Sequence, residues 1–301
     1  MKPMTEQAAE AAIRVACREL HLPTIAAEGP RIADDATRER LTHRGFLAEV
    51  LAAEVDERAQ RRKARRLLEA HFPRLKRLED FDCTVALGVP PATVAALQQG
   101  AFIDAGAPVV LLGDSGTGKS HLLIGMGIAA CQAGRRVRYA TTAALVNELA
   151  EAADDRTLSR VVARYGRYDL LLLDELGDLH LDSRGAELLF QVLTEREEKA
   201  SIAAASNAPF SEWGQTFTDP RLAAAIVDRL TFNALIIETG TQSYRLRATR
   251  SAKKGAAQRQ RSAHLAPPRL ATQRDRADTG LLAHTTGGGA TSGERGGAAQ
   301  R

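Results

Sequence analysis

Cysteines, aromatic side chains and long hydrophobic runs are all scarce in this chain of 301 residues. Its three cysteines, Cys17, Cys83 and Cys131, are scattered, so they predict neither a disulfide framework nor a metal site. Aromatic residues make up 4% of the chain, which leaves few rings for stacking single-stranded bases. No apolar run approaches the length of a membrane span. We therefore expect a soluble protein of the reducing cytoplasm that makes no membrane contact.

Composition divides the chain into three regions. Residues 1–80 carry apolar and charged side chains at helical spacing, which predicts a small all-helical N-terminal domain. Residues 81–248 alternate short apolar runs with helical patterns, which predicts an α/β domain with a parallel sheet. Residues 249–301 are rich in glycine, alanine and arginine but poor in large apolar side chains. We expect them to form a disordered basic tail.

The α/β region contains five short runs that we interpret as the strands of one sheet. Four of them are nearly unbroken apolar sequences, as expected for strands that helices cover on both faces. The candidates are residues 109–112, 136–141, 169–174, 201–206 and 235–238.

The segment GDSGTGKSH follows the first strand and matches the phosphate-binding pattern G-x-x-x-x-G-K-[ST]. Its glycines let backbone N–H groups turn toward an anion, and the helix that begins near Lys119 adds its positive end. Lys119 supplies a charge for the β- and γ-phosphates, and the Ser120 hydroxyl is a ligand for Mg²⁺. The predicted nucleotide-binding residues are Gly113, Asp114, Ser115, Gly116, Thr117, Gly118, Lys119, Ser120 and His121.

Polar residues end two further strands. Asp174 and Glu175 follow the most hydrophobic run, and ligands of open parallel sheets gather at the carboxyl ends of strands. Asp174 is predicted to orient Mg²⁺, and Glu175 to polarise the water that attacks the γ-phosphate. Asn207 ends the run at 201–206, which we expect to lie beside the phosphate-loop strand. Its amide is a candidate for holding that water, with an ordinary turn residue as the alternative.

The segment DPRLAAAIVDRL predicts a helix with Pro220 near its start and Arg229 near its end. An arginine in this position is a candidate for a finger that reaches the nucleotide of a neighbouring subunit. An ordinary solvated arginine at a helix end is the alternative, and the residues alone leave both open.

As a set, these motifs resemble the IstB-like ATPases, the AAA+ helper proteins of insertion-sequence transposition, which are relatives of the DnaC helicase loaders and the DnaA initiators. The resemblance covers about residues 40–248, and SNAPFSEWGQTF is its most specific segment. It implies an AAA+ P-loop fold, hydrolysis of ATP with Mg²⁺, and a sensor role for Asn207. It also implies that Arg229 acts in trans. The chain departs from the wider AAA+ pattern because it lacks room for a full helical lid.

The resemblance further implies partners. These are duplex DNA, the transposase of the same element, and other copies of the chain, which would assemble with ATP at the subunit interfaces. The transposase would do the strand chemistry, because Asp174 and Glu175 are already assigned to the nucleotide.

A basic stripe predicts nucleic-acid binding independently of that resemblance, although the net charge is only +4. Residues 43–70 have the pattern of one amphipathic helix or a bent pair, and five arginines between 58 and 66 then share one face with no acid among them. Such a row suits a phosphate backbone, and a solvated face is the alternative. The predicted DNA-binding residues are Arg58, Arg61, Arg62, Lys63, Arg65, Arg66, Arg74, Lys76 and Arg77.

Two other functions are compatible with parts of this pattern. A replicative helicase loader similar to DnaC would share the core motifs, and co-purification with a helicase or with a transposase would separate the two functions. A P-loop kinase of a small molecule is disfavoured by Glu175, which suits hydrolysis, and by the lack of an evident acceptor pocket or lid.

Overall fold

The structure is a computed structural model, and it describes residues 5–84, 86, 88–177 and 180–241. These residues fall within one compact unit, Met1–Ala252. The predicted tail, residues 249–301, lies outside the described residues, and the division of the chain into domains stays a prediction.

Three helices form the N-terminal region: α1 (Glu6–Glu19), α2 (Pro23–Arg38) and α3 (His43–Glu69). The pattern over residues 43–70 therefore corresponds to one continuous helix and not to a bent pair. Thr42 begins it, because its side-chain oxygen accepts a hydrogen bond of 3.1 Å from the N–H of Gly45. It ends where His71 takes a positive φ of 58°, two residues before Pro73.

Five strands form one parallel sheet, as the sequence predicts. They are β1 (Val109–Leu112), β2 (Val137–Thr141), β3 (Leu170–Asp174), β4 (Ser201–Ser206) and β5 (Leu235–Glu238). Their order in the sheet is β2-β3-β4-β1-β5. The strand β4 thus lies beside β1, which confirms the expected neighbour of the phosphate-loop strand. All carboxyl ends reach the same edge of the sheet.

Helices cover both faces of this sheet. One face carries α4 (Pro91–Gln99), α5 (Ala101–Asp104), α6 (Lys119–Gln132) and the end of α3. The other carries α7 (Thr142–Asp154), α8 (Leu158–Gly166), α9 (Ser183–Arg196), α10 (Trp213–Thr216) and α11 (Pro220–Thr231). Successive strand residues point to opposite faces, so Val109 and Leu111 join one core and Val110 and Leu112 the other. Together with the phosphate loop after β1, this is the α/β arrangement of a P-loop fold that the sequence predicts.

The three cysteines are free thiols, and Cys17 and Cys131 are buried. Burial raises the pKa of the Cys131 thiol to about 12, so it remains protonated at neutral pH. Among the helices in the described part of the chain, none is both long and apolar enough to cross a membrane.

The helix α6 packs unusually close to its neighbours because it contains glycines at the contacts. A Cβ on Gly127 would lie 2.5 Å from Cδ1 of Leu172 in β3 and 2.8 Å from Cε1 of Phe72. A Cβ on Gly125 would lie 2.8 Å from Cδ2 of Leu78. Both positions therefore exclude a larger side chain, and they bring the segment after α3 against the helix that follows the phosphate loop.

We expect Gly127→Ala to lower the free energy of unfolding by about 1–3 kcal/mol, because its methyl group overlaps a packed core. Chemical denaturation followed by circular dichroism measures the change. Gly29→Ala in α2 is the control, since its Cβ would meet only Cγ2 of Ile25 at 3.9 Å. There the helix propensity of alanine should leave stability equal or higher. Equal losses in the two variants would contradict the packing interpretation.

Candidate nucleotide-binding site

A cleft of about 540 Å³ opens at the carboxyl edge of the sheet. It is lined by the phosphate loop from Ser115 to His121 and by Asp174, Glu175 and Asn207 at the ends of two strands. The structure therefore brings together predicted site residues from three separate parts of the sequence. Gly113 and Asp114 form the start of the same loop.

The phosphate loop turns at glycines that no other residue would replace easily. Gly113, Gly116 and Gly118 have φ angles of 145°, 85° and 105°, in the region that disfavours L side chains. A Cβ on Gly113 would also lie 2.7 Å from the backbone oxygen of Gly240. One on Gly118 would lie 2.8 Å from Cε2 of Phe81. The loop thus needs glycine both for its conformation and for its close approach to neighbours.

The residues directly after β5 support this loop through hydrogen bonds. The N–H of Asp114 donates to the backbone oxygen of Gly240 at 3.1 Å, and the hydroxyls of Thr117 and Thr239 lie 2.6 Å apart. The Thr239 hydroxyl also donates to the Leu112 carbonyl at 3.1 Å. Sequence reasoning did not identify Thr239, and its position directly after the last strand was the only available signal.

Lys119 is buried, and its ammonium lies inside the loop. Its Nζ donates to the carbonyls of Gly113 and Asp114 at 2.5 and 2.7 Å. A buried ammonium is costly unless polar groups or an anion compensate its charge. With the positive-φ glycines and the N-terminus of α6, it forms a cradle whose geometry fits a phosphate group.

Asp174 ends β3 and is held at both carboxylate oxygens. Oδ2 accepts a hydrogen bond of 2.9 Å from the hydroxyl of Tyr139, and Oδ1 accepts one of 3.0 Å from the N–H of Glu175. Burial, followed by the charge of Asp174, raises the pKa of Tyr139, so its hydroxyl keeps the proton that it donates. Tyr139 lies in β2 and was missed by sequence reasoning, because only the alignment of β2 with β3 brings it to the site.

Glu175 has a strained backbone, with a φ of 60°. Among the described residues, every other non-glycine residue with positive φ lies two residues after the last residue of a helix, where this conformation is common. Glu175 instead follows a strand directly. Such a conformation costs about 1–3 kcal/mol and concentrates at functional sites. Its side chain is exposed to the cleft.

Asn207 is exposed at the end of β4, on a strand end that is itself fixed. The buried Ser206 hydroxyl oxygen accepts hydrogen bonds from the N–H of Ala208 at 3.1 Å and from the indole N–H of Trp213 at 3.2 Å. The segment that follows β4 thus anchors the backbone on which Asn207 sits.

The segment after α3 lies over the phosphate loop. Nε2 of His121 is 2.7 Å from the carbonyl oxygen of Arg77, and the rings of His121 and Phe81 meet edge to face with centroids 5.4 Å apart. Arg74 and Lys76 also line the nucleotide cleft. Two of the residues predicted to contact DNA therefore lie at the nucleotide cleft, and their role in DNA binding stays a prediction.

Arg229 does not line the nucleotide cleft of its own chain. It lines a different cleft of about 470 Å³, where its Nη2 lies 3.1 Å from Oε2 of Glu197. Its guanidinium carbon stands 4.4 Å from the centroid of the Phe190 ring. The side chain is 22% exposed. Its contacts with Glu197 and Phe190 hold it at this second cleft, away from the phosphate loop of its own chain.

The arginines of α3 divide between two surroundings. Four of them line a groove of about 960 Å³ together with Arg14 and Arg18 of α1; the four are Arg58, Arg61, Arg62 and Arg65. Lys63 is not among the lining residues, and Arg66 extends instead toward Gly134, whose Cβ would lie 3.3 Å from its Nη1.

Residues 58–66 contain no acid, but acidic residues outside this window form ion pairs with three of the groove arginines. Ion pairs of 2.7, 3.0 and 2.7 Å join Arg58 to Glu54, Arg61 to Glu57 and Arg65 to Glu69. Each partner lies four residues away, on the next turn of the helix. Arg18 and Arg62 make no ion pair with any residue that the structure describes, so their charges face the groove uncompensated.

The chain matches the family model of the IstB-like ATP binding proteins over residues 15–252. A candidate insertion-sequence ATP-binding protein of Sinorhizobium fredii is 37% identical over 255 residues, which cover 84% of this chain and 86% of that protein. A candidate ATP-binding protein of insertion sequence IS21 from Pseudomonas aeruginosa is 37% identical over 221 residues, covering 73% and 83%.

Solved structures are more distantly similar. AMPPCP-bound DnaA from Aquifex aeolicus is 26% identical, with 56% of this chain and 50% of that chain covered and a TM-score of 0.46. A DnaC helicase loader is 17% identical, with 54% and 96% covered and a TM-score of 0.43.

We expect Gly113→Ala to weaken ATP binding at least about 10-fold, because a methyl group there displaces the loop from Gly240 and opposes a positive φ. Titration with a fluorescent ATP analogue measures the affinity. Gly214→Ala is the matched control, since its Cβ would meet nothing within 4 Å. A Gly113→Ala variant that binds ATP as tightly as the control would show that the loop does not hold the phosphates.

Proposed function

Because the chain belongs to the family of IstB-like ATP-binding proteins, we propose that it is an ATP-hydrolysing switch that assembles on duplex DNA and recruits or activates a transposase. The observation that carries the proposal is the single cleft where the phosphate loop meets Asp174, Glu175 and Asn207. These are the groups that binding, metal coordination and water activation require of an ATPase.

Each group has a separate part in hydrolysis. The loop N–H groups and Lys119 bind the phosphates of ATP, and the α6 terminus adds its positive potential. The Ser120 hydroxyl and the Asp174 carboxylate would hold Mg²⁺, which neutralises phosphate charge when bound. Glu175 accepts a proton from the attacking water, and Asn207 orients that water.

Arg229 completes the site of a neighbouring subunit in this proposal. The support is its location: it is pinned by Glu197 and Phe190 at a cleft separate from its own phosphate loop. An arginine that reaches another subunit's γ-phosphate stabilises the charge on the transferring phosphoryl group. Hydrolysis then requires assembly, because one subunit holds Glu175 and the next supplies the finger.

We expect Glu175→Gln and Arg229→Ala each to bind ATP but to hydrolyse it about 10³-fold more slowly. An equal mixture of the two variants should recover about a quarter of the wild-type rate, since one interface in four then joins an intact Glu175 to an intact Arg229. Phosphate release on long duplex DNA measures the rate.

The control for this experiment is Arg221→Ala, which removes an exposed arginine from the same helix and should leave hydrolysis near the wild-type rate. A mixture no more active than its two components would refute the trans role of Arg229.

Duplex DNA is proposed to bind in the groove between α1 and α3. Six arginines line it, and Arg18 and Arg62 carry charges that no described acid neutralises. Apolar residues, including Leu22 and Pro23, form part of the same lining. A rim of guanidinium groups suits the phosphate backbone and offers no base-reading motif, so we expect little sequence preference.

We expect binding to a long non-specific duplex to be stronger with ATP than with ADP, and the log–log salt slope to be about −4 to −5 for about five phosphate contacts. Arg62→Ala should reduce the slope by about one. Fluorescence anisotropy at several salt concentrations measures both quantities.

Arg31→Ala is the control, because this exposed arginine of α2 is paired with Glu28 and Asp35 and does not line the groove. Binding that is nearly insensitive to salt, or equal effects of the two substitutions, would argue against the groove.

The transposition role is preferred over a helicase-loader role because three relatives at 34–37% identity are named as insertion-sequence proteins. Capture of the element's transposase by the ATP-bound protein on DNA supports the proposal, and selective capture of a replicative helicase would favour the loader instead. Either role operates in the cytoplasm, where the free cysteines would remain reduced.

A further inference from the structure

Tyr139 connects the acidic end of the nucleotide cleft to the packed core. Its hydroxyl donates a hydrogen bond of 2.9 Å to Oδ2 of Asp174. Tyr139 is 9% exposed and Asp174 6%, so bulk water competes little for this contact. The hydroxyl is therefore a fixed donor that faces one specific carboxylate oxygen.

We propose that Tyr139 is a positioning residue that holds the carboxylate of Asp174 in the orientation that binds Mg²⁺. The inference rests on the proposed ATPase function, because that function assigns Asp174 to the ion. Each carboxylate oxygen accepts one hydrogen bond, Oδ2 from Tyr139 and Oδ1 from the N–H of Glu175. Each oxygen has a second lone pair, so the carboxylate is oriented and still able to hold the ion.

The phenol is itself held from the other side. Because β2 is an edge strand, its outward N–H groups have no strand to pair with, and that of Tyr139 donates to the Ala70 carbonyl after α3 at 2.9 Å. The Phe72 ring lies beside the phenol, with centroids 6.4 Å apart. Backbone and ring contacts together leave the hydroxyl little freedom to turn away from Asp174.

A second tyrosine provides a matched comparison within the same chain. The hydroxyl of Tyr165 in α8 donates to Oε2 of Glu148 at 2.5 Å, and Tyr165 is buried. Neither residue lines the nucleotide cleft. The two pairs therefore share a buried tyrosine–carboxylate hydrogen bond, and only one of them includes a residue assigned to the metal.

The test is the Mg²⁺ dependence of ATP binding by the full chain, measured with a fluorescent ATP analogue. Tyr139→Phe retains the ring that packs beside Phe72. It should leave the affinity without Mg²⁺ unchanged and raise the Mg²⁺ concentration for half-maximal enhancement about 10-fold, as loss of a metal ligand's hydrogen-bond partner does. Tyr165→Phe should leave both quantities at the wild-type values. In an Asp174→Asn background, Tyr139→Phe should cause no further shift.

The outcomes separate this inference from the function on which it rests. A wild-type protein with Mg²⁺-dependent binding and a Tyr139→Phe variant with the same Mg²⁺ requirement would overturn the positioning role alone. A full shift that persists in the Asp174→Asn background, or an equal shift in Tyr165→Phe, would also overturn it. Wild-type binding that does not depend on Mg²⁺ would overturn this inference, and the absence of Mg²⁺-dependent phosphate release by the wild-type protein would overturn the proposed ATPase function as well.

Discussion

The parallel register of the strands is the constraint on which the rest of the site depends. Leu112 at the end of β1 pairs with Ser206 of β4 and Glu238 of β5, and Asp174 pairs with Thr141 of β2. The phosphate loop and the acidic residues therefore leave the sheet at one edge. A slip of one residue along β3 would move Asp174 by about 3.3 Å, more than the length of a hydrogen bond. Core packing, which sets the register, thus sets the geometry of the cleft.

Contacts from distant parts of the chain then immobilise the loops that this edge carries. Thr239, directly after the last strand, supports the phosphate loop, and the segment after α3 covers the loop through the contact of Phe81 with His121. β2 holds the acidic strand end through Tyr139. A site supported from several elements keeps its reacting groups in place at the cost of a strained residue such as Glu175. The packed sheet around Glu175 keeps its backbone in this strained conformation.

Sequence reasoning predicted the features that local pattern determines. All five strands were identified as short apolar runs between helical patterns, and four of these runs are nearly unbroken, since strands buried on both faces have no polar alternation. Residues that act across the sheet were missed, because Tyr139 and Thr239 acquire their partners only from strand order and register. The acid-free window from residue 58 to residue 66 was too short to judge the charge of a helix face. Ion pairs in a helix join residues four apart, so acidic partners lie beyond the ends of that window.

The two cations assigned to the phosphates differ in what holds them. Lys119 lies within the loop of its own chain, whereas Arg229 is bound to Glu197 beside Phe190 at another cleft. If Arg229 serves a neighbouring nucleotide, its contacts with Glu197 and Phe190 hold the guanidinium in place before assembly, which lowers the conformational entropy lost when subunits meet. The γ-phosphate must then compete with Glu197 for the same group. Hydrolysis would depend on how tightly the subunits dock, and this dependence links the state of the nucleotide to the state of the oligomer.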